Sequence, residues 1–180
     1  MKNYDNKIIF TGPVGAGKTT AIGAISDIPT IVTDAAASDM TLNRKGYTTV
    51  AMDYGVLLLD DKTKVHLYGT PGQERFDFMW EILSAGSIGL ILMIDNSRAN
   101  PFKDIQFFLN AFKEMLKTAP VVIGVTKTDL KNTPTTEMYA GMLEKLGIYP
   151  PIFEVDGRKK EDVKNLVMAL LFSIDPGLGN

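Results

Sequence analysis

Short apolar runs alternate along this chain with longer stretches in which apolar residues recur every three or four positions. The runs at residues 7–11, 88–94 and 121–125 are nearly continuous, which is typical of strands buried on both faces of a sheet. Residues 101–116 show the other pattern, with apolar side chains spaced to form one face of a helix. The alternation predicts an α/β fold.

Weaker signals complete this pattern. Residues 50–59 and 64–68 are rich in strand-forming side chains and flank a polar turn, which predicts an antiparallel hairpin. A last strand is predicted over residues 152–155, and helices over residues 19–26, 135–146 and 160–172. We therefore expect one domain spanning residues 1–180, with a mostly parallel sheet, helices on both faces and a flexible tail at residues 174–180.

The bulk composition excludes several functions. The 180 residues carry a net charge of −2 and no long run of Lys or Arg, which argues against a nucleic-acid partner. The absence of cysteine excludes a disulfide framework and thiol catalysis. No apolar stretch reaches the length of a transmembrane helix, and no thiol is present for lipid attachment. We expect a cytoplasmic protein with no direct membrane anchor.

One segment carries a complete phosphate-binding motif. Residues 12–19 read GPVGAGKT, match G-x-x-x-x-G-K-[ST], and lie between a predicted strand and a predicted helix. Glycines let the backbone curl so that several N–H groups point at phosphate oxygens, and the helix N-terminus adds a favourable dipole. Lys18 supplies charge for the β- and γ-phosphates, and the Thr19 hydroxyl is a Mg²⁺ ligand. We call this segment the phosphate loop.

Three further polar or glycine-rich segments follow predicted strands, at residues 69–76, 126–129 and 156–158. In open α/β sheets, ligands bind outside the carboxyl ends of the strands. These segments are therefore expected to converge on the phosphate loop.

The four segments together resemble those of the Ras-like small GTPases, and within them the bacterial group that includes MglA and the conservon-encoded GTPases. Residues 69–76, GTPGQERF, are similar to the switch II motif D-T-A-G-Q-E, and residues 48–55, TTVAMDYG, to the end of switch I. Residues 126–129, TKTD, are similar to the guanine-reading motif N-K-x-D. The resemblance covers nearly the whole chain. It implies a P-loop NTPase fold with a six-stranded, mostly parallel sheet containing one antiparallel hairpin, and a GTP-binding switch that hydrolyses GTP to GDP with Mg²⁺.

The resemblance assigns roles around the γ-phosphate. The N–H of Gly72 would contact that phosphate, and Gln73 would orient the attacking water. Thr49 would join Thr19 as a Mg²⁺ ligand, with the threonine one position earlier as the alternative. Arg44, which precedes this threonine pair, is a candidate arginine finger acting in cis; the alternative is a solvated loop arginine.

The resemblance also assigns a guanine site. Asp129 would accept hydrogen bonds from the N1–H and 2-amino groups of guanine, a pair of donors that adenine lacks. The stem of Lys127 would pack on the face of the base. Thr126 replaces the usual Asn, which is expected to weaken or shorten a tether to the phosphate loop. Residues 156–158 take the place of the usual S-A-K, where a backbone N–H meets guanine O6.

The sequence departs from the Ras pattern at Gly69, because the family usually carries there an Asp that holds Mg²⁺ through water. Asp53 or Asp34 could compensate, and we predict that the affinity for Mg²⁺ is lower than in a Ras protein that carries the Asp.

The predicted site divides into nucleotide contacts, catalytic residues and metal ligands. Thr19 and Thr49 are the metal ligands, and Lys18, Gln73 and Arg44 the catalytic residues. The nucleotide contacts are Gly12, Val14, Gly15, Ala16, Gly17, Lys18, Thr19, Thr20, Thr49, Gly72, Thr126, Lys127, Asp129, Asp156, Gly157 and Arg158.

The resemblance implies slow intrinsic turnover, a protein effector and a roadblock-type regulator, with an output in bacterial polarity, motility or signalling. Two other classes stay open at this point. One is an ATP-using P-loop enzyme, and the other is a nucleotide-binding scaffold without turnover.

Overall fold

A mixed sheet of seven strands forms the centre of the structure, a computed structural model that describes residues 6–32, 52–60, 63–72 and 77–175. The strand order across the sheet is β2-β3-β4-β1-β5-β6-β7. The strands are β1 Asn6–Thr11, β2 Ile31–Val32, β3 Asp53–Leu58, β4 Lys64–Gly69, β5 Gly89–Asp95, β6 Val121–Thr126 and β7 Ile152–Glu154. The helices are α1 Lys18–Ile25, α2 Asp77–Ser84, α3 Pro101–Ala111, α4 Thr136–Lys145 and α5 Lys160–Ile174, with a 3₁₀ helix at Met115–Lys117.

Five of the strands run parallel. β1 pairs in parallel with β4 and β5, and the parallel arrangement continues through β6 to β7. β3 runs antiparallel to both β2 and β4. The carboxyl ends of β1, β4, β5, β6 and β7 therefore meet at one edge of the sheet, which confirms the predicted α/β class.

Helices cover both faces of the sheet because alternate residues of the central strands point to opposite sides. Along β1, Ile8 and Phe10 join the cluster formed with α1 and α5, whereas Ile9 joins the cluster formed with α2, α3 and α4. All seven residues of β5 are buried, as expected for a central parallel strand. The core thus fixes the strands whose ends carry the predicted site.

The sheet has seven strands rather than the six that the family resemblance implied. The additional strand, β2, has only two residues, which pair with β3. Ile31 and Val32 are 56% and 48% exposed. A two-residue strand with both side chains in solvent shows neither alternation nor an apolar run, so the sequence pattern carried no signal for it.

The third helix is shorter than its apolar spacing predicted. α3 ends at Ala111, and the chain continues through a turn into the 3₁₀ helix. Phe112, Met115 and Leu116 lie beyond the break but still pack into the same cluster as the helix. Their packing preserves the helical spacing across the break, which explains why the prediction ran on to residue 116.

The last helix is longer than predicted, since α5 continues to Ile174. The predicted tail at residues 174–180 therefore begins inside this helix, and residues 176–180 lie outside the described residues. Within the described part of the chain, no helix combines the length and the apolar character needed to cross a bilayer.

Candidate functional site

The phosphate loop connects β1 to α1 and packs tightly against the sheet. A Cβ atom at position 12 would lie 2.0 Å from the carbonyl oxygen of Met93, so only glycine fits there. Gly17 caps the N-terminus of α1 with φ 92°, in the left-handed region. No side chain caps this end of the helix, so the backbone N–H groups of the first turn are available to an anion.

Lys18 lies beneath this loop with its ammonium group buried. Its Nζ donates hydrogen bonds to the carbonyl oxygens of Gly12, at 2.6 Å, and Pro13, at 2.9 Å. Burial lowers the pKa of Lys18 to about 8, against a smaller opposing effect from the charge of Asp53. A cation that is poorly solvated and held by neutral carbonyls gains strongly from a nearby phosphate.

Asp53, at the start of β3, contacts the first turn of α1. The Thr19 hydroxyl donates a hydrogen bond to Asp53 Oδ2 at 2.6 Å. Asp53 is paired across the strands with Gly69, and a Cβ atom at position 69 would lie 2.9 Å from the same carboxylate oxygen. The carboxylate of Asp53 thus occupies the space in front of Gly69, next to a predicted Mg²⁺ ligand.

The segment that follows β4 approaches the phosphate loop closely. A Cβ atom at position 72 would lie 2.5 Å from the backbone nitrogen of Val14 and 2.9 Å from Lys18 Nζ. The indole N–H of buried Trp80 donates to the carbonyl of Pro71 at 3.1 Å and anchors the segment. Gly72 is therefore held against the phosphate loop, as its predicted role requires.

A cavity of about 690 Å³ opens beside the phosphate loop. We call it the base cavity. Its walls unite the phosphate loop with the segments after β6 and β7, three of the four segments that the sequence placed at this edge. The lining includes Gly15, Ala16, Gly17, Thr20, Thr126, Lys127, Asp129, Asp156, Gly157 and Arg158.

Thr126 makes a tether to the phosphate loop, which was expected to be weaker or shorter than that of the usual Asn. Its hydroxyl lies 3.1 Å from the carbonyl oxygen of Ala16 and 3.2 Å from that of Ile94, in hydrogen-bonding geometry with both. The contact is buried, so a threonine hydroxyl can link the two segments in place of a longer Asn side chain.

Lys127 adopts a left-handed backbone conformation, with φ 59°, at the mouth of the base cavity. Its ammonium group forms an ion pair with Asp95 at 2.6 Å. Sequence reasoning did not single out Asp95, although it is the last residue of β5 and so lies at the same edge of the sheet. The rule that ligands bind beyond the carboxyl ends of strands was the signal that could have found it.

Asp156 and Arg158, which also line the cavity, form an ion pair. The guanidinium of Arg158 donates to both carboxylate oxygens of Asp156, each at 2.8 Å. Hydrogen bonds from Arg158 lower the pKa of Asp156 to about 2. Gly157 lies between them, where a Cβ atom would be 3.3 Å from the carbonyl oxygen of Gly17. The three residues therefore line the cavity, and Gly157 also lies against the phosphate loop.

Several predicted site residues lie outside the described residues. They are Arg44, Thr49 and Gln73, together with Asp34, which was a possible substitute for the missing switch II carboxylate.

The sequence matches one family model and is similar to several known proteins, three of which are described below. The model of a family described as "Conserved hypothetical ATP binding protein" matches residues 27–171. An uncharacterized protein of Methanocaldococcus jannaschii is 33% identical over 141 residues, which cover 77% of this chain and 80% of that protein. Ras-related protein SEC4 of Saccharomyces cerevisiae is 26% identical over 176 residues, covering 94% of this chain and 75% of that protein. Ras-related protein RABA6b of Arabidopsis thaliana is 24% identical over 173 residues, covering 94% and 70%.

The buried ammonium of Lys18 predicts a pH dependence of stability in the nucleotide-free protein. The folded protein releases the Lys18 proton near pH 8, whereas the unfolded chain keeps it up to its ordinary pKa of 10.5. Between these values the unfolded chain binds more protons, so the free energy of unfolding rises with pH, by up to about 3 kcal/mol from this group.

Denaturant unfolding at several pH values from 7.5 to 10.5 measures this contribution. Lys18→Met removes the titrating group, and subtracting its pH profile from that of the wild type cancels the other titrations. If the free energy of unfolding depends on pH in the same way in the wild type and in the variant, the Lys18 ammonium is not buried as described.

Proposed function

Because the chain belongs to the family of conserved hypothetical ATP-binding proteins, we propose that it is a P-loop nucleotide hydrolase, and that its nucleotide is GTP. The observation that carries the proposal is the base cavity, which joins the phosphate loop to Asp129 and Lys127. One nucleotide can lie with its phosphates on the loop and its base in the cavity. The low identity with Ras-related proteins extends over nearly the whole chain, in accord with this reading.

Guanine is favoured over adenine by the chemistry of the cavity wall. The Asp129 carboxylate is an acceptor with two oxygens, which matches the N1–H and 2-amino donors on one edge of guanine. Adenine presents a bare ring nitrogen and a carbon-bound hydrogen at the corresponding positions, so Asp129 would face no such pair. The backbone of residues 156–158 lies at the same cavity and would provide an N–H for guanine O6.

Hydrolysis would rest on positioning and charge. Lys18 and the N–H groups of the phosphate loop would stabilise charge on the β- and γ-phosphates, and the N–H of Gly72 would contact the γ-phosphate. Gln73 would orient the attacking water, and Arg44 is the proposed source of a positive charge in cis. These assignments rest on the family resemblance.

The residues near Thr19 fit a Mg²⁺ ion. A hydroxyl and a carboxylate are the oxygen donors that this ion prefers, and Thr19 and Asp53 supply one of each within hydrogen-bond distance. Among the described residues, no group of three or more His, Cys, Asp or Glu side chains is placed to hold a metal. Few protein ligands are the norm for Mg²⁺ at nucleotide sites, because phosphates and waters complete the shell. The ion would neutralise charge on the phosphates. Thr19 and Thr49 would bind it, with Asp53 in place of the switch II Asp.

The proposed cellular role is a switch. Contacts from Gly72 and Thr49 to a γ-phosphate exist only before hydrolysis, so the segments that carry them can report the bound nucleotide. By the resemblance to the MglA and conservon group, turnover would be slow until a roadblock-type regulator stimulates it. The output would be polarity, motility or signalling in the cytoplasm.

Guanine preference is tested by isothermal titration of the nucleotide-free protein with GDP and ADP. We expect GDP to bind at least tenfold more tightly, since one charged hydrogen-bond acceptor contributes about 1.5–3 kcal/mol. Asp129→Asn should reduce the GDP affinity and leave the ADP affinity unchanged. Equal affinities for the two nucleotides in the wild type would favour the alternative of an ATP-using P-loop enzyme, in accord with the ATP binding that the family description names.

Turnover is tested by single-turnover hydrolysis of GTP. We expect Gln73→Leu to slow the reaction by at least about tenfold, because the leucine cannot orient water. Gln106→Leu, on the exposed side of α3, is the matched control and should leave the rate unchanged. A rate that Gln73→Leu does not alter would support the scaffold without turnover.

The role of Asp53 is tested by Mg²⁺ titration of the GDP complex. We expect Asp53→Asn to weaken Mg²⁺ binding by about tenfold or more, because an amide oxygen lacks the charge of a carboxylate. Asp60→Asn, in the turn after β3, is the control. If Asp53→Asn binds Mg²⁺ as the wild type does, Asp53 is no substitute for the switch II Asp.

A further inference from the structure

The end of β5 contacts the loop that carries the base-reading residues, in a way that the family motifs did not anticipate. The buried carboxylate of Asp95 holds the Lys127 ammonium with Oδ2, at 2.6 Å. Its other oxygen accepts hydrogen bonds from the Ser97 backbone N–H, at 2.9 Å, and from the Ser97 hydroxyl, at 2.5 Å. Asp95 is thus fixed on both oxygens, and its orientation decides where the Lys127 ammonium lies.

The fixed ammonium constrains the rest of the Lys127 side chain. A Cβ atom added to Gly15 in the phosphate loop would lie 3.8 Å from the Lys127 Nζ. Lys127 also lines the base cavity. The backbone of Lys127 is in the left-handed region, which residues other than glycine rarely adopt. The methylene stem therefore links the Lys127 backbone to an ammonium position that is fixed by Asp95, in a residue that lines the base cavity.

A second contact from the same strand end holds the far side of this loop. The carboxamide nitrogen of buried Asn96 donates to the carbonyl of Lys131 at 2.6 Å. Its carboxamide oxygen accepts a hydrogen bond from the hydroxyl of Tyr139, on α4, at 2.5 Å. The Asn96 backbone N–H donates to the carbonyl of Thr126 at 2.9 Å. Asn96 therefore ties down the loop at residues 126 and 131, on either side of Asp129.

Burial and partners together keep this arrangement charged. Burial of Asp95 opposes its ionisation, but hydrogen bonds from Lys127 and Ser97 outweigh that effect, and the pKa of Asp95 is lowered. Lys127 is 38% exposed in its side chain, so its charge retains contact with water. The ion pair is partly exposed and contributes little to the stability of the fold as such. The ion pair therefore matters for where it places the Lys127 ammonium and not for how much it stabilises the fold.

We propose that Asp95 and Asn96 are positioning residues for the purine, with Asp95 aligning the Lys127 stem as a wall against the face of the base. The inference rests on the proposed function, since it presumes that the base occupies the base cavity. A stem made of methylene groups contacts the ring face, which guanine and adenine share, and not the edge, by which they differ. Asp95 therefore governs how tightly any purine is held, whereas Asp129 governs which purine is chosen.

Isothermal titration with GDP, ADP and pyrophosphate separates these roles. For Asp95→Asn we expect the affinities for GDP and ADP to fall by the same factor, about tenfold, with the affinity for pyrophosphate unchanged. Pyrophosphate has no base, so it reports on the phosphate loop alone. Asp104→Asn is the control, because it removes a carboxylate that pairs with Arg98 at 2.6 Å, away from the cavity.

Two milder variants keep the test informative if Asp95→Asn does not fold. Ser97→Ala removes one hydrogen bond to the Asp95 carboxylate, and Tyr139→Phe removes the hydroxyl that holds Asn96. Both should weaken GDP and ADP equally, by about threefold, and leave pyrophosphate binding unchanged.

Three results would overturn the inference. The first is a variant in which the affinity for pyrophosphate falls together with that for GDP. The contacts of Asp95 and Asn96 would then support only the general fold. The second is a GDP affinity that none of the variants changes. The third is a wild type that binds pyrophosphate but neither nucleotide. That last result would overturn the proposed function as well, whereas the first two would leave it standing.

Discussion

The buried ammonium of Lys18 is the constraint on which the rest of the site depends. A charged group with 7% exposure is costly unless neighbouring dipoles or charges compensate, and here the carbonyls of Gly12 and Pro13 do so. Those carbonyls can face inward only because the loop curls tightly, with Gly12 pressed on the carbonyl of Met93 in β5. At the end of the same loop, Gly17 begins α1 without a side-chain cap, which leaves N–H groups of the first turn available to an anion. One loop therefore holds the lysine and presents hydrogen-bond donors.

The position of Asp53 brings a carboxylate to the Thr19 hydroxyl from the strand next to the one that carries Gly69. β3 and β4 are antiparallel neighbours, and Asp53 lies directly across from Gly69. A side chain at position 69 and the carboxylate of Asp53 compete for the same volume, because their atoms would lie 2.9 Å apart. Glycine at 69 and aspartate at 53 therefore form a compatible pair. Where the sequence departs from the family motif at Gly69, the neighbouring strand thus brings a carboxylate to 2.6 Å from the Thr19 hydroxyl.

The sequence predicted the central strands well because their burial on both faces leaves an unbroken apolar run, as in β5. It predicted the phosphate loop and the segments after β4, β6 and β7 because each is a local motif. It did not predict β2, whose two exposed residues carry no pattern, nor the end of α3, where Phe112 and its neighbours keep the helical spacing after the helix has stopped. Asp53 was one of two open alternatives, because its place depends on which strands are neighbours. Asp95 ends a strand at the ligand-binding edge, but its contact with Lys127 depends on the pairing of β5 with β6. Cross-strand register is a tertiary property that spacing along one chain does not contain.

The contrast between the family description and the proposed nucleotide follows from how the site is divided. A phosphate loop binds the part that ATP and GTP share, so Lys18 and Thr19 carry no information about the base. The family match covers residues 27–171 and thus the segments that line the base cavity opposite the loop. In the proposed function, base choice would be concentrated there in very few atoms, chiefly the carboxylate of Asp129. Asp95 and Asn96 hold the same loop without touching the edge of a base in the proposed pose. In the proposed function, a chain could therefore keep the entire supporting network and change its nucleotide through the group at position 129. The proposed choice of GTP depends on that carboxylate and not on the phosphate loop.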